Sequence, residues 1–250
     1  MGSRLLKSLF VLLLVVPVAV QAKTKADATF AFPNDRPVKI IVFRPDVEVA
    51  SLGVSGLPAP NADWTADARK NLLAAIKTNQ NAKSNGISEM PELTGDDGAY
   101  AAEYQALYRA VGNALLAHNF GFGGKLATKK LPDGKYKFDW TLGPGAKHLG
   151  ELGGGNYGLF LYSYDAFATA GRKAFQIIML IASSAAGAGF LPQGGMHTSY
   201  ASLVDLETGN IVWTNVYLNK KGDARNPDGA LERVTKLLST LPLREGEKKK

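Results

Sequence analysis

The chain has 250 residues, 46% of them hydrophobic, a formal net charge of +7 and no cysteine. The absence of cysteine excludes disulfides, thiol catalysis, cysteine-based metal sites and a bacterial lipoprotein anchor. The length is sufficient for one domain with a substantial core, and the composition is that of a globular protein. The basic residues are scattered and lack the aromatic interleaving of nucleic-acid readers, so we expect no nucleic-acid partner.

The first 22 residues predict a cleaved signal peptide. Arg4 and Lys7 precede an apolar run over residues 9–20 that only Pro17 interrupts, and small residues precede a cut after Ala22. A membrane span needs about 20 apolar residues, so an uncleaved anchor is the less favoured alternative. Removing two of the 29 basic residues and none of the 22 acidic ones lowers the charge from +7 to +5. We expect a periplasmic or secreted protein of a Gram-negative bacterium.

The first half of the mature chain predicts strands followed by helices. In chain order these are an extended lead-in (23–36), a buried strand (38–43), a loop over 46–63 with at most one short strand at 47–52, and two helices (64–78 and 99–118). Asp63 or Thr65 is available as the N-cap of the first helix. In the second helix Tyr100, Tyr104 and Tyr108 recur at helical spacing. We expect them to pack against the sheet; a groove wall is the alternative.

The middle of the chain alternates turn signals with β-like runs. The pattern predicts a hairpin over residues 125–142, a short helix over 146–152 and a candidate central strand over 157–166. The glycine clusters at 121–124, 143–145 and 153–155 lack the residues and spacing of phosphate-binding loops, and we interpret them as turns and helix stops.

Residues 171–191 are ambiguous. Residues 174–180 are apolar except for Gln176, and residues 182–189 contain only Ala, Ser and Gly. Three interpretations fit: a buried helix with a small-residue loop, which we favour, a strand with a glycine-rich turn, or a membrane-inserting segment over 174–191.

The clearest pattern is a hairpin over residues 197–218. Two β-rich runs flank the turn residues 207–210, and both carry apolar side chains on both faces, which places the hairpin near the middle of a sheet. We expect Asp205 to fix the turn by accepting hydrogen bonds from Thr208 or from the amides of Gly209 and Asn210. A final helix is predicted over 226–241, with Leu231, Val234, Leu237, Leu238 and Leu241 in register.

Together these elements predict one α/β (α+β) domain over residues 37–242. It has a mixed, largely antiparallel sheet with helices packed on its faces, and a basic disordered tail follows at 243–250.

No motif assigns chemistry to the chain. The histidines His118, His148 and His197 lack metal-ligand spacing, so we predict no metal site. The acid pairs Asp96-Asp97 and Glu89 with Glu92 are expected to be solvated. We therefore predict no catalytic, cofactor-binding or metal-binding residue and no cofactor.

The hairpin motif carries a family resemblance. Residues 201–213 read ASLVDLETGNIVW, which resembles the hairpin of bacterial envelope proteins with a domain similar to the TolB N-terminal domain, among them CsgG-type and LpoB-type proteins. Residues 140–145 (WTLGPG), 157–162 (YGLFLY) and 170–172 (AGR) are similar to an uncharacterised family of secreted proteobacterial envelope proteins in the same group. The resemblance implies an α/β domain with helices on the sheet and a role in envelope assembly.

Our leading hypothesis is an exported, non-enzymatic cell-envelope protein that acts through contacts with another envelope protein, in assembly or as a secretion accessory. It predicts that changes at Asp96, Asp97 or His197 leave the role intact. The alternatives are a secreted hydrolase with an unmarked active site and a protein that inserts residues 174–191 into a membrane. Membrane association is not expected, and the oligomeric state stays open.

Overall fold

The computed structural model describes residues 23–27, 29–79, 86–120, 124–173, 195–218 and 221–243. Its strands are β1 (Lys23–Ala26), β2 (Ile40–Val42), β3 (Asp46–Leu52), β4 (Pro58–Pro60), β5 (Ser88–Glu89), β6 (Tyr157–Ala168), β7 (Gly195–Asp205) and β8 (Ile211–Tyr217). Its main helices are α1 (Ala62–Thr78), α2 (Gly95–Asn119), α3 (Ala146–Gly153) and α4 (Pro227–Leu237). Helices and one mixed sheet are both present, which confirms the α/β fold class.

The twelve-residue strand β6 organises the sheet. One of its edges pairs antiparallel with β7, which pairs antiparallel with β8, and β1 adds to β8. Its other edge pairs parallel with β2 first, at Ile40↔Tyr157, and then with β3, from Asp46↔Tyr162 onwards. β5 lies outside β2 in parallel, and β4 lies outside β3 in antiparallel orientation. The predicted hairpin is confirmed, and it lies between β6 and β1 as the apolar character of both its faces indicated.

The sheet is covered on both faces, because strands with apolar residues on both sides need two layers of helices. α1 and α4 cover one face, where Leu72, Ile76 and Val234 pack on Leu159 and Leu203. α2 and α3 cover the other face. There Tyr108, Leu115 and Leu149 belong to one cluster with Phe160 and Val204, so the buried part of the tyrosine stripe packs on the sheet as predicted.

Several boundaries and partners differ from the sequence-based expectation. The N-cap of α1 is Asn61, whose side chain accepts from the Trp64 amide at 2.9 Å, and neither Asp63 nor Thr65 has this role. The Thr65 hydroxyl instead accepts from the backbone N–H of Val49 at 3.0 Å, because it lies over the edge of β3. The lead-in was predicted only to be extended, but its first residues form the edge strand β1.

The prediction of a hairpin over residues 125–142 is wrong in its length. The structure has only an isolated bridge between Lys130 and Tyr136, preceded by a 3₁₀ turn at Ala127–Lys129. The alternating aromatic residues pack individually instead of pairing across strands: Trp140 is buried and the Lys129 ammonium lies 4.6 Å from the centre of its ring.

The final helix ends at Leu237, earlier than the predicted residue 241, and its apolar register also differs. Leu231, predicted to face the core, is 43% exposed, whereas Arg233 is 1% exposed. The side-chain amide of Asn215 in β8 donates to the carbonyls of Lys236 and Leu237 at 3.0 and 2.8 Å, and these bonds terminate the helix against the sheet.

Four predictions fall wholly or mainly on residues that the structure does not describe: the signal peptide at 1–22, the glycine cluster at 121–124, the segment 174–191 and the tail from residue 244 on. They stay predictions. None of the helices in the described ranges is both long and apolar enough to cross a membrane.

Candidate functional site

A crevice opens where β2 ends and β3 begins. β2 and β3 both pair with β6 on one side, and their other side forms an edge of the sheet. β5 pairs with this edge only at Ile41 and Val42, and β4 pairs with it only from Ala50 on. Between these positions no strand in the described ranges lies outside the edge. α1 and α2, which cover opposite faces of the sheet, flank this gap and enclose a cavity volume of about 700 Å³.

Side chains bind the backbone of the open edge. Gln105 of α2 donates to the carbonyl of Arg44 at 3.0 Å. Arg69 of α1 donates from Nε to the carbonyl of Pro45 at 3.3 Å and from Nη2 to that of Val47 at 3.2 Å. Buried or half-buried carbonyls need such partners, and here they obtain them from two helices instead of from a neighbouring strand.

The ends of the gap are closed by turns at proline. The Met90 amide donates to Val42 at 2.9 Å and Pro91 follows, whereas the Asn61 amide donates to Val49 at 2.8 Å directly after Pro60. Because proline has no backbone N–H, neither β4 nor β5 can extend along the edge with a regular ladder.

The crevice has a charged rim and apolar walls. Arg44, Arg69 and Lys70 line it together with Leu73 and Met90, which are half-buried. Burial lowers the pKa of the Arg69 guanidinium, and the positive charge of Arg44 lowers it further, while Asp46 acts in the opposite direction.

The predicted acid pair Glu89 and Glu92 lines this crevice, a position that the sequence did not indicate. Glu89 forms an ion pair with Lys77, one turn beyond Leu73 on α1. Asp96 and Asp97 are not at this site. They occupy the first turn of α2, where an acid interacts favourably with the helix dipole.

The three histidines lie in separate places. His118 Nδ1 is 2.7 Å from the carbonyl of Gly124, and His148 lies 3.7 Å from Asp97 and 3.2 Å from Glu151, largely exposed. Across the described ranges no group of three or more candidate ligand residues is placed to hold a metal ion.

His197 belongs to a buried polar network that the sequence did not reveal. Its Nδ1 lies 2.8 Å from Asp165 Oδ1, and Asp165 also receives both Nη atoms of Arg233, at 2.7 and 3.1 Å. The Oγ atoms of Ser163 and Ser199 accept from Arg233 Nη1 at 2.7 and 3.2 Å. An Asp–His pair can orient a catalytic base, but here the carboxylate is already bound twice by an arginine, so the arrangement joins α4 to β6 and β7.

Asp205 acts at the turn, with a partner other than those predicted. Its Oδ1 accepts from the Glu207 amide at 2.9 Å, and its backbone carbonyl accepts from Gly209 at 2.7 Å. Gly209 has φ of +76° and lies against the backbone of Gly143, where a side chain would have no room. Glycine is therefore favoured at this turn for two reasons: the φ angle is positive, and a Cβ would collide with the backbone of Gly143.

The glycine cluster at 153–155 also fulfils its predicted role as a helix stop. Gly154 adopts φ of +69° at the C-cap of α3, and Gly153 and Gly155 lie against Ile41 of β2. A second cavity of about 400 Å³ adjoins this turn, but its lysines and glutamates are exposed and Glu207 is paired with Arg36.

The fold and the crevice thus define an α/β domain with an open, charged cleft beside a sheet edge. No protein family matches the chain. No curated protein matches it. Among solved structures it is similar to the PelC dodecamer from Paraburkholderia phytofirmans and to a variant of that dodecamer, with TM-scores of 0.33 and 0.34, 11% identity, and coverage of 90% of this chain and 99% of the other. TM-scores of this size do not establish a common fold.

Proposed function

We propose that this protein is an exported, non-enzymatic component of the bacterial cell envelope that binds an extended segment of another envelope protein in the crevice. The observation that carries the proposal is the cavity between α1 and α2 beyond the end of β2, which neither β4 nor β5 extends far enough to cover. Grooves between secondary-structure elements that receive a peptide segment are a recurrent form of recognition.

The shape and lining of the crevice support this role. Its volume of about 700 Å³ lies within the range of sites that enclose a small ligand or a few side chains. The walls come from two helices on opposite faces, and Leu73 and Met90 supply apolar contacts between charged groups. An extended polypeptide segment, whose successive side chains point in opposite directions, can present both apolar and polar side chains to such a lining.

Site-specific photo-crosslinking in intact cells tests the docking site. Ala66 on α1 and Ala102 on α2 are exposed and line the crevice, and Ala74 and Ala110 are exposed on the same helices outside it. A photoreactive residue at Ala66 or Ala102 should give one envelope-protein adduct several-fold more strongly than at Ala74 or Ala110. Equal adducts at all four positions, or none from the crevice pair, would contradict the docking role.

Export is tested separately by the N-terminus of the protein recovered from cells. We expect the mature chain to begin at Lys23 and to remain in the soluble fraction after carbonate extraction. A chain that still begins at Met1 and pellets with membranes would identify an uncleaved anchor.

A further inference from the structure

The cations of the crevice form no ion pair with any residue of the described ranges. Arg44, Arg69 and Lys70 line the cavity, and none of them forms an ion pair with a described residue. Arg44 and Lys70 are exposed, and Arg69 is half-buried. Three positive charges that converge on one cavity favour an anionic occupant.

Two of the three guanidinium nitrogens of Arg69 bind the sheet edge. Its Nε and Nη2 bind the carbonyls of Pro45 and Val47, which orients the guanidinium plane at the sheet edge. Nη1 makes no hydrogen bond with a described residue. A guanidinium held in this way is pre-organised for a carboxylate, since less side-chain entropy is lost when the ligand binds.

The neighbouring acids are mostly engaged elsewhere. Asp46 is bound by Arg109 through two bonds of 2.6 and 2.5 Å, and Glu89 is paired with Lys77. Glu92 is the one acid in the lining that forms no ion pair with a described residue. Among the described residues, the three unpaired cations of the lining therefore exceed its one unpaired acid by two charges.

We propose that the segment bound in the crevice is acidic and that the three cations bind its carboxylates. Arginine binds a carboxylate through paired, charge-assisted hydrogen bonds. The apolar surfaces of Leu73 and Met90 lie beside the cations, which favours a segment with aliphatic residues next to acidic ones over a small inorganic anion. This inference rests on the proposed docking role of the same crevice and adds the chemistry of the partner.

Fluorescence anisotropy with three synthetic probes tests this chemistry on the mature chain, residues 23–250. The probes are capped, labelled hexapeptides that alternate leucine with glutamate, with glutamine or with lysine. We expect the glutamate peptide to bind at least about 10-fold more tightly than the glutamine peptide, and the lysine peptide not to bind, with affinity for the glutamate peptide falling as salt is raised. Absence of binding by the glutamate peptide up to about 1 mM would overturn the inference.

A double variant measures how much the cations contribute to the affinity, apart from the rest of the crevice. Arg44→Gln with Lys70→Gln removes two exposed charges and leaves Arg69, which binds the backbone, in place. Affinity for the glutamate peptide should fall at least about 10-fold, whereas Lys130→Gln with Lys236→Gln, an equal charge change at exposed positions elsewhere, should leave it within about twofold. Equal loss in both variants would overturn the inference.

The two proposals fail in different ways. If photo-crosslinks form at Ala66 and Ala102 and keep their strength in the Arg44→Gln/Lys70→Gln protein, the docking site stands and the acidic partner is wrong. If crosslinks are absent from both crevice positions, the docking role itself is wrong.

Discussion

The sheet face covered by α1 and α4 has a buried polar network with charged members, whereas the network described on the face covered by α2 and α3 consists of neutral groups. The charged network joins Arg233 of α4 to Asp165 of β6, both 1% exposed in their side chains, with His197 of β7 bound to the same carboxylate. The neutral one joins the Tyr108 hydroxyl of α2 to Ser202 at 3.1 Å, and Ser202 to Thr214 at 2.8 Å.

The two networks differ in how much stability is lost when one of their members is removed. A buried ion left without its counter-ion retains its full desolvation cost, because no water replaces the missing partner. A hydroxyl that loses one of several neighbours still has another: Tyr108 also donates to the Phe160 carbonyl at 3.3 Å. The α4 face should therefore be the more fragile one, although both networks attach a helix to the same two strands.

The largest expected effect is that of Arg233→Met. The change leaves Asp165 buried without its arginine, and we expect the free energy of unfolding to fall by about 3–5 kcal/mol, measured by urea denaturation. Replacing Asp165 by Leu in the same protein should recover part of this loss. Lys236→Met on the exposed side of α4 is the matched control, and an equal cost for both single variants would remove the distinction between the faces.

An intermediate effect is expected at alkaline pH, and it concerns the other face. Burial raises the pKa of Tyr108 far above its usual value of about 10, and burial followed by the charge of Tyr108 does the same for Tyr200. Above about pH 10 the unfolded chain loses these protons and the folded chain retains them, so stability is complete below that pH and falls as pH rises. Each tyrosine contributes a slope of up to about 1.4 kcal/mol per pH unit.

Urea denaturation between about pH 9 and pH 11 measures this slope. Tyr200→Phe should make the decline shallower, and Arg233→Met, which changes only the other face, should keep the wild-type slope at a lower stability. If the Tyr200→Phe protein lost stability with pH as steeply as the wild type, Tyr200 would not be a cause of the decline.

The smallest expected effect is that of Tyr108→Phe. The ring keeps its packing against Phe160, and Ser202 keeps its bond to Thr214, so the loss should be about 0.5–1.5 kcal/mol. Tyr100→Phe, which removes a half-buried bond to the Gly145 carbonyl, serves as the control and should cost less. A cost for Tyr108→Phe as large as that of Arg233→Met would mean that neutral and charged networks are equally fragile.

The strands β6 to β8 could be predicted from the sequence because continuous apolar runs and a glycine turn are local signals. Arg233 could not, since arginines in helices are usually solvated. A signal was present nevertheless: Arg233 lies three residues after Ala230 and four before Leu237, both fully buried, and thus in the apolar register that leaves Leu231 exposed. Asp165 and Ser163 likewise share a strand face with buried Leu161.

The crevice could not be predicted, because its parts are distant in sequence and none has a motif. Gln105 and Arg69 each resemble a solvated residue on a helix, and only the gap between β4 and β5 gives them carbonyls to bind. The two proline stops at Pro60 and Pro91 were visible in the sequence, but which strand edge they leave open depends on the tertiary fold.

The first strand of the sheet, β1, pairs with β8, the last strand along the chain. β1 pairs with β8 from Lys23↔Val216 to Ala26↔Trp213, and the Thr24 hydroxyl lies 2.7 Å from that of Thr240. Contacts of such high contact order form late and slowly in folding. The sheet therefore cannot be completed until β8, which ends at Tyr217, has been synthesised, and a shorter nascent chain leaves β1 without the strand that it pairs with.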